Sequence, residues 1–172
     1  LLRFFIIMVN FKTQVTIKSL IGQRYLKWNL QLIGDKSAVT SLVKETDDSR
    51  VTCCIDSSFD QEKGWFSFLN SGDLLHEAAL FVIAKSIIEN PEAKVFYTDQ
   101  DHFSTEGNFQ DPFFKPNWNE DLFNGINYFG IITVFSNELW TKNSHDPLGT
   151  KGLNINEIAK IDKNHIIHLP YV

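Results

Sequence analysis

The sequence is poor in cysteine, which argues against a secreted fold held together by disulfides. Its 2 Cys are neighbours, Cys53 and Cys54, in a chain of 172 residues. A disulfide between adjacent residues is strained, and small secreted domains usually carry several bridges. We therefore expect both thiols to be reduced and largely buried, as in a cytosolic protein.

Long apolar runs are also missing. No run approaches the roughly 20 apolar residues that a membrane-spanning helix needs. The opening segment, residues 1–9, is shorter than a span and lacks a small-residue cleavage site, which argues against a signal peptide. Its continuous apolar character instead predicts a strand covered on both faces over residues 4–9. Because the chain has no initiator Met and starts and stops inside apolar segments, we expect a piece trimmed at both ends.

A basic surface and several well-known catalytic motifs are absent as well. The formal net charge is -5, the sequence pI is near 5.5, and the basic residues are scattered, which disfavours nucleic-acid binding. There is no Gly-rich dinucleotide or phosphate loop and no Gly-x-Ser-x-Gly motif. The 5 His do not follow a metal-ligand spacing. His165 and His168 fall in a strand pattern, where we expect them to be partly buried or paired.

The residues that are present predict one α/β domain over residues 1–172. At 43% apolar, 13% aromatic and 22% charged, a chain of this length buries a substantial core. Strands are predicted over 4–9, 28–33, 51–55, 65–69 and 94–98, and helices over 13–23, 37–43 and 74–89. Ser37 and Asp73 are suited to cap the last two of these helices. Alternating strands and helices indicate a mainly parallel sheet with right-handed crossovers.

The second half of the chain shows less regular hydrophobic periodicity than the first. Residues 102–128 show little periodicity and contain Pro112 and Pro116, so we predict an irregular binding loop there. Three further elements are predicted beyond it: a strand over 131–135, a helix over 155–161 and a strand over 165–169.

Polar residues follow the predicted strands of the first half. In open parallel sheets, ligands bind beyond the carboxyl ends of the strands. The residues at those ends are Asn10, Asp35, Asp56, Asp73, Asp99 and Asp101. One interpretation is a divalent metal that bridges these oxygens to phosphates. The other is that these residues cap helices and form turns. The residues alone leave the two interpretations open.

Several segments resemble family 2 glycosyltransferases of the GT-A fold, especially those that build O-antigen and capsule polysaccharides. The resemblance rests on residues 8–13, 19–25 and 28–37, on Phe96-Tyr97-Thr98-Asp99-Gln100-Asp101, on the Asp-Pro-Phe-Phe-Lys-Pro-Asn-Trp segment 111–118, and on Asn127-Tyr128-Phe129-Gly130. In order and spacing, these segments cover residues 4 to about 140.

The resemblance implies a three-layer GT-A sandwich that transfers a sugar from a nucleoside-diphosphate donor to a glycan or lipid-linked acceptor, with inversion. It implies a divalent metal, Mn or Mg, held by Asp73. Nucleotide-binding roles fall to Asn10, Asp35 and Asp56, while Asp99 and Asp101 line the boundary between donor and acceptor, with residues 102–128 on the acceptor side. Such a protein is cytoplasmic, or peripheral at the inner face of the membrane.

The sequence also departs from the family pattern. Where the family has Asp-x-Asp-Asp, this chain reads Asn70-Ser71-Gly72-Asp73, so one carboxylate remains. Asn residues replace the acidic motif expected around residues 152–157, which leaves Glu157 either as the catalytic base or as a helix surface residue. A non-catalytic GT-A-like protein that binds a glycan or a partner is therefore the alternative.

The aromatic residues of the second half allow two interpretations. Trp118, Phe123, Tyr128 and Phe129 either stack on a sugar or belong to the core, and we favour the core for Phe123 and Phe129.

Overall fold

The computed structural model describes residues 3–9, 14–53, 64–104, 106–130, 132–139 and 158–171. The strands in these ranges are β1 (Phe4–Val9), β2 (Trp28–Ile33), β3 (Val51–Cys53), β4 (Trp65–Asn70), β5 (Val95–Thr98), β6 (Gln100–Phe103), β7 (Phe109–Phe113), β8 (Thr133–Ser136) and β9 (Ile166–Leu169). The helices are α1 (Val15–Ile21), α2 (Lys36–Thr46), α3 (Ala79–Glu89) and α4 (Glu120–Gly125), with a 3₁₀ turn at Lys163–His165.

Seven strands form one open sheet in the order β3-β2-β1-β4-β8-β5-β9. Strand β1 pairs in parallel with β2 and β4, β2 with β3, and β5 with β9. Strand β8 runs antiparallel to both of its neighbours, β4 and β5. The prediction of an α/β domain with a mainly parallel sheet is confirmed, and β8 is the strand that reverses direction.

Two helices begin at other residues than the sequence predicts. Helix α2 is capped by Asp35, not by Ser37, because one Asp35 carboxylate oxygen accepts hydrogen bonds from the backbone of Ser37 and Ala38 at 3.1 and 3.0 Å. Helix α3 begins at Ala79, not after Asp73. The Asp73 carboxylate instead accepts from the backbone N–H of Asn70 at 2.8 Å, which closes a turn after β4. The segment between this turn and α3 therefore remains non-helical.

Regular elements occupy part of the segment 102–128, which the sequence predicts to be irregular. Strands β6 and β7 pair antiparallel as a hairpin, and α4 follows, with Asn119 as its cap. Alternation is hard to recognise here because every residue of β7 is exposed, so its apolar and polar residues face similar surroundings.

Buried apolar residues form two clusters, which lie on opposite faces of β5. We call the first the aliphatic cluster; it contains Phe4, Ile17, Leu20, Trp28, Leu30, Leu32, Val39, Val51, Trp65, Leu69, Leu75, Leu80, Ile83, Ala84, Ile87, Ala93, Phe96, Val134 and Leu169. The second, the aromatic cluster, contains Val95, Tyr97, Phe123, Tyr128, Phe129, Phe135, Leu139, Ile158 and Ile166. Successive side chains of a strand point to opposite faces, so Phe96 joins the first cluster and Tyr97 the second. Helix α3 thus covers one face of β5 and α4 the other.

Two further expectations concern cysteine and membrane spans. Cys53 is half-buried and free, while Cys54 lies outside the described residues. Within the part of the chain that the structure describes, none of the helices has the length and apolar character needed to cross a membrane.

Candidate functional site

A cavity of about 280 Å³ lies at the carboxyl ends of β5 and β9, beside the residues that precede α3. We call it the strand-end cavity. It is lined by Leu74, Leu75, His76, Ala78, Ala79, Val82, Ile83, Thr98, Asp99, Gln100, Asp101, Ile132 and Tyr171. The non-helical segment before α3 and the first turns of that helix supply most of the apolar lining. The end of β5 and the start of β6 supply most of the polar lining, and the segment before α3 adds His76. The cavity therefore combines an apolar wall with two carboxyl groups.

Asp99 is buried, and its carboxyl group is held by two neighbours. Its Oδ1 accepts a hydrogen bond from the backbone N–H of Lys115 at 2.8 Å and lies 2.7 Å from Nε2 of His168. The side chains of Asp99 and His168 are only 4% and 8% exposed. An ionised carboxylate only accepts hydrogen bonds, so with Asp99 ionised the proton of this pair lies on Nε2. The expectation that His168 is paired is confirmed.

Strand pairing explains why His168 reaches Asp99. In the parallel pair of β5 and β9, Tyr97 stands opposite His168. The Tyr97 ring stacks on the imidazole at a centroid distance of 4.9 Å and an interplanar angle of 18°. The Tyr97 hydroxyl donates to the carbonyl oxygen of Pro116 at 2.7 Å. Burial raises the pKa of Tyr97 above its usual value, so this hydroxyl stays protonated and keeps the ring in place.

Lys115 connects two backbone segments next to Asp99. It is 5% exposed, and its Nζ donates to the carbonyl oxygens of Thr98 and of Phe129, the latter at 2.7 Å. Burial lowers the pKa of Lys115 to about 8, against the opposing attraction of Asp99. Gly130 completes the packing, because its φ is +72° and an added Cβ would collide with Lys115 Nζ and Gln100 Oε1.

Asp73, the predicted metal ligand, lies half-buried in the turn after β4. Burial raises its pKa, which the hydrogen bond from Asn70 partly opposes. Among the residues described, no group of three or more His, Cys, Asp or Glu side chains could hold a metal ion. Metal binding by Asp73 stays a prediction.

Asp35, one of the predicted nucleotide contacts, is exposed at the start of α2. Its hydrogen bonds to Ser37 and Ala38 lower its pKa, so its carboxylate serves as a helix cap. Val9, at the end of β1, stands in register with Ile33 and Asn70, so Asp35 and Asp73 follow strand ends on the same sheet edge. Because β1 lies between β2 and β4, these two strands are about 10 Å apart. Neither Asp35 nor Asp73 lines the strand-end cavity.

The remaining predicted site residues divide into two groups. Asp99 and Asp101 both line the strand-end cavity, so the structure brings this predicted pair together. Asn10, Asp56 and Glu157 lie outside the described residues. Their assigned roles stay predictions.

Sequence reasoning missed the role of Lys115 and the partner of His168. Lys115 lies inside the segment Asp111–Trp118 that resembles glycosyltransferases, but its neighbours Phe114 and Pro116 are exposed, so the local sequence carries no signal of its burial. The aromatic residues behave as expected: Phe123 and Phe129 are buried in the core, where their ring centroids lie 4.5 Å apart.

Comparisons with known proteins extend this description. No protein-family model matches the chain. It is 32% identical over 136 residues to the uncharacterised protein y4gI of Sinorhizobium fredii, covering 69% of this chain and 15% of that protein. It is 29% identical over 142 residues to the O-antigen biosynthesis protein RfbC of Myxococcus xanthus, covering 71% of this chain and 11% of that protein. The chain thus spans only a small part of the curated relatives that it matches.

Two solved structures share its fold. Residues 1–349 of TarS from S. aureus, a glycosyltransferase, superpose with a TM-score of 0.54 at 13% identity, covering 83% of this chain and 49% of that chain. A 4-diphosphocytidyl-2C-methyl-D-erythritol synthase from Anaerococcus prevotii, a nucleotidyltransferase, gives a TM-score of 0.50 at 11% identity, covering 97% and 87%. Together with the sheet order and the strand-end cavity, these likenesses show that the chain has a GT-A-like fold, the fold of nucleotide-diphospho-sugar transferases.

Proposed function

We propose that this chain is a glycosyltransferase domain that moves a sugar from a nucleoside-diphosphate donor to a glycan or lipid-linked acceptor in polysaccharide biosynthesis. Its similarity to an O-antigen biosynthesis protein and its fold, shared with a glycosyltransferase, support this proposal. The observation that carries it is the strand-end cavity with Asp99 and Asp101 in its lining. Ligands of open α/β sheets bind at this edge, beyond the carboxyl ends of the strands.

The reaction requires three tasks of the protein. It binds the nucleotide, for which we propose Asn10, Asp35 and Asp56. It holds the leaving diphosphate, next to which we place Asp73. It also positions the acceptor hydroxyl for attack on the anomeric carbon, at the boundary lined by Asp99 and Asp101.

As the new bond forms, the hydroxyl proton passes to a carboxylate, and Glu157 is the candidate that we propose for this base. In-line attack opposite the leaving group inverts the anomeric carbon.

The proposed reaction would be assisted by a divalent metal ion next to the diphosphate. A bound Mn or Mg ion neutralises charge on a departing diphosphate. Asp73 is the residue that would hold the ion at this position, so the binding experiment varies Mn separately from the nucleotide.

Nucleotide binding tests the proposal. The melting temperature is measured with UDP, GDP and dTDP, each with and without Mn, and with the matching nucleosides as controls. A nucleotide at 100 times its dissociation constant adds about 2.7 kcal/mol to the free energy of unfolding. We expect one diphosphate to stabilise the protein while its nucleoside does not. Asp73→Asn should remove any Mn-dependent part, while the exposed Asp47→Asn should leave it intact.

A second candidate function is a non-catalytic domain that binds a glycan or a partner protein. The loss of carboxylates in Asn70-Ser71-Gly72-Asp73 and the lack of a three-residue ligand group among the described residues favour it. No stabilisation by any nucleotide, with or without Mn, would contradict donor binding and favour this second candidate.

A further inference from the structure

The carboxyl group of Asp99 is occupied on one side only. Among the described residues, both of its hydrogen-bonding neighbours, Lys115 N–H and His168 Nε2, contact Oδ1. Asp99 also lines the strand-end cavity, although its side chain is 4% exposed. A buried carboxylate is costly unless its oxygens receive hydrogen bonds. None of the hydrogen bonds that described residues make to the Asp99 side chain involves Oδ2, so this oxygen is the candidate acceptor for a molecule in the cavity.

The group that holds Asp99 is assembled from distant parts of the chain. His168 is 69 residues away along the sequence and Lys115 is 16 residues away. The stacked Tyr97 ring fixes the imidazole, and the two carbonyl oxygens of Thr98 and Phe129 fix Lys115. The carboxylate is consequently held in one orientation before any ligand arrives, which lowers the entropic cost of binding.

The composition of the cavity lining indicates the chemistry of its ligand. It has two carboxyl groups, Asp99 and Asp101, one imidazole, His76, and none of its described residues is a lysine or arginine. Such a lining repels phosphates, so the diphosphate of a nucleotide is an unsuitable occupant. Carboxylates form strong hydrogen bonds with hydroxyl groups, while Val82, Ile83 and Ile132 offer an apolar wall. A neutral ring with hydroxyl groups on its edge and an apolar face matches both features.

We propose that the strand-end cavity binds one neutral sugar ring of the acceptor through the carboxylate of Asp99, and that His168 is a positioning residue for this carboxylate. The identification of the ligand as an acceptor sugar rests on the proposed function. The positioning role rests on the Asp99–His168 geometry alone.

Sugar binding to His168 variants tests this inference. The probes are the methyl glycosides of glucose, galactose, mannose, N-acetylglucosamine and rhamnose at millimolar concentration, followed by saturation-transfer NMR and calorimetry on the full chain. We expect at least one glycoside to bind. His168→Leu, which removes the donor to Asp99, should weaken that binding about tenfold or more, because the carboxylate then loses the partner that holds its orientation.

A conservative variant separates positioning from packing. His168→Gln places an amide nitrogen near the position of Nε2 and should bind the sugar within about threefold of the wild type. His168→Asn is polar but too short to reach Asp99, so this variant should lose binding like His168→Leu. If the leucine variant does not fold, the asparagine variant replaces it in the test. The matched control is His165→Leu, because His165 lies in the 3₁₀ turn just before β9 and does not line the cavity.

The outcomes distinguish this inference from the proposed function. If no glycoside binds the wild type, or if the Gln and Asn variants bind equally, the inference is wrong, whatever the nucleotides do. If a glycoside binds and shows this dependence on His168 while no nucleoside diphosphate binds, the sugar site stands and the transferase proposal fails. Nucleotide stabilisation should be the same in all of the His168 variants.

Discussion

The two core clusters of this protein differ in what they bury. The aliphatic cluster is packed mainly with Leu, Ile and Val side chains, which present no polar atoms. The aromatic cluster is smaller and lies against a hydrogen-bonded polar group made of Asp99, Lys115 and His168. The first can be stabilised by area burial alone, whereas the second is stable only when each buried polar group finds its partner.

This difference assigns the clusters different tasks. A core packed mainly with aliphatic side chains supports the sheet, and those side chains can be exchanged for others of similar volume at modest cost. The polar group under the aromatic cluster holds a carboxylate at the edge of the strand-end cavity. The same strand serves both tasks, since Phe96 belongs to the first cluster and Tyr97 to the second.

Truncation of one large side chain in each cluster should have the largest effect. Leu30 and Phe123 are both fully buried. We expect Phe123→Ala to lower the free energy of unfolding by about 3–5 kcal/mol and Leu30→Ala by about 2–5 kcal/mol. The exposed neighbour Leu122→Ala, in the same helix as Phe123, should cost less than about 1 kcal/mol. Urea denaturation measures all three variants.

Hydrogen exchange in the same variants tests whether the clusters unfold together. Because β5 is shared, we expect Phe123→Ala to speed the exchange of amides in β2 as well as in α4. Unchanged protection of β2 would show that the aromatic cluster opens independently of the aliphatic one.

Two glycines offer a sharper test of the packing around Lys115. Gly130 and Gly107 both have positive φ, +72° and +86°, but only Gly130 has neighbours where a Cβ would lie. We expect Gly107→Ala to cost about 1–2 kcal/mol for its backbone conformation alone. Gly130→Ala should cost about 2–4 kcal/mol, because it also displaces Lys115 or Gln100. Equal losses in thermal denaturation would show that these side chains move aside freely.

The pH dependence of stability should reveal the buried lysine, with a smaller effect. Burial lowers the pKa of Lys115 from 10.5 to about 8, so between these values the folded protein binds fewer protons than the unfolded chain. The free energy of unfolding of the wild type should therefore rise, relative to Lys115→Met, by about 1–2 kcal/mol between pH 8 and about pH 9.5. Below pH 8 the difference should be constant.

A surface lysine provides the control for this measurement. Lys36 is exposed at the start of α2, and Lys36→Met should give a curve parallel to that of the wild type over the same pH range. Urea denaturation at each pH measures the three proteins. A parallel curve for Lys115→Met too would mean that Lys115 keeps an ordinary pKa in the folded state.

Much of the first half could be predicted because its elements are local. The strand Trp28–Ile33 has the predicted bounds, since an apolar run between turn residues is visible within a few positions. The start of α3 could not be predicted, because Asp73 is equally suited to cap a helix or to close a turn with Asn70. The direction of β8 depends on which strands flank it, and no short segment carries that information.

The candidate site could likewise be predicted only where it depends on the local sequence. Asp99 and Asp101 were identified from their position after a predicted strand, and both line the cavity. His168 and Lys115 could not be joined to them from the sequence, because contacts across 69 and 16 residues leave no periodic signal.

The sequence by itself determined the alternation of apolar strands with amphipathic helices, because burial and hydrogen bonding along a short segment depend on its own residues. It also determined that acidic groups follow those strands. Only the tertiary structure decided which of these groups share a cavity and which imidazole and lysine hold them. That choice depends on strand order and register, which the packing of the whole chain sets.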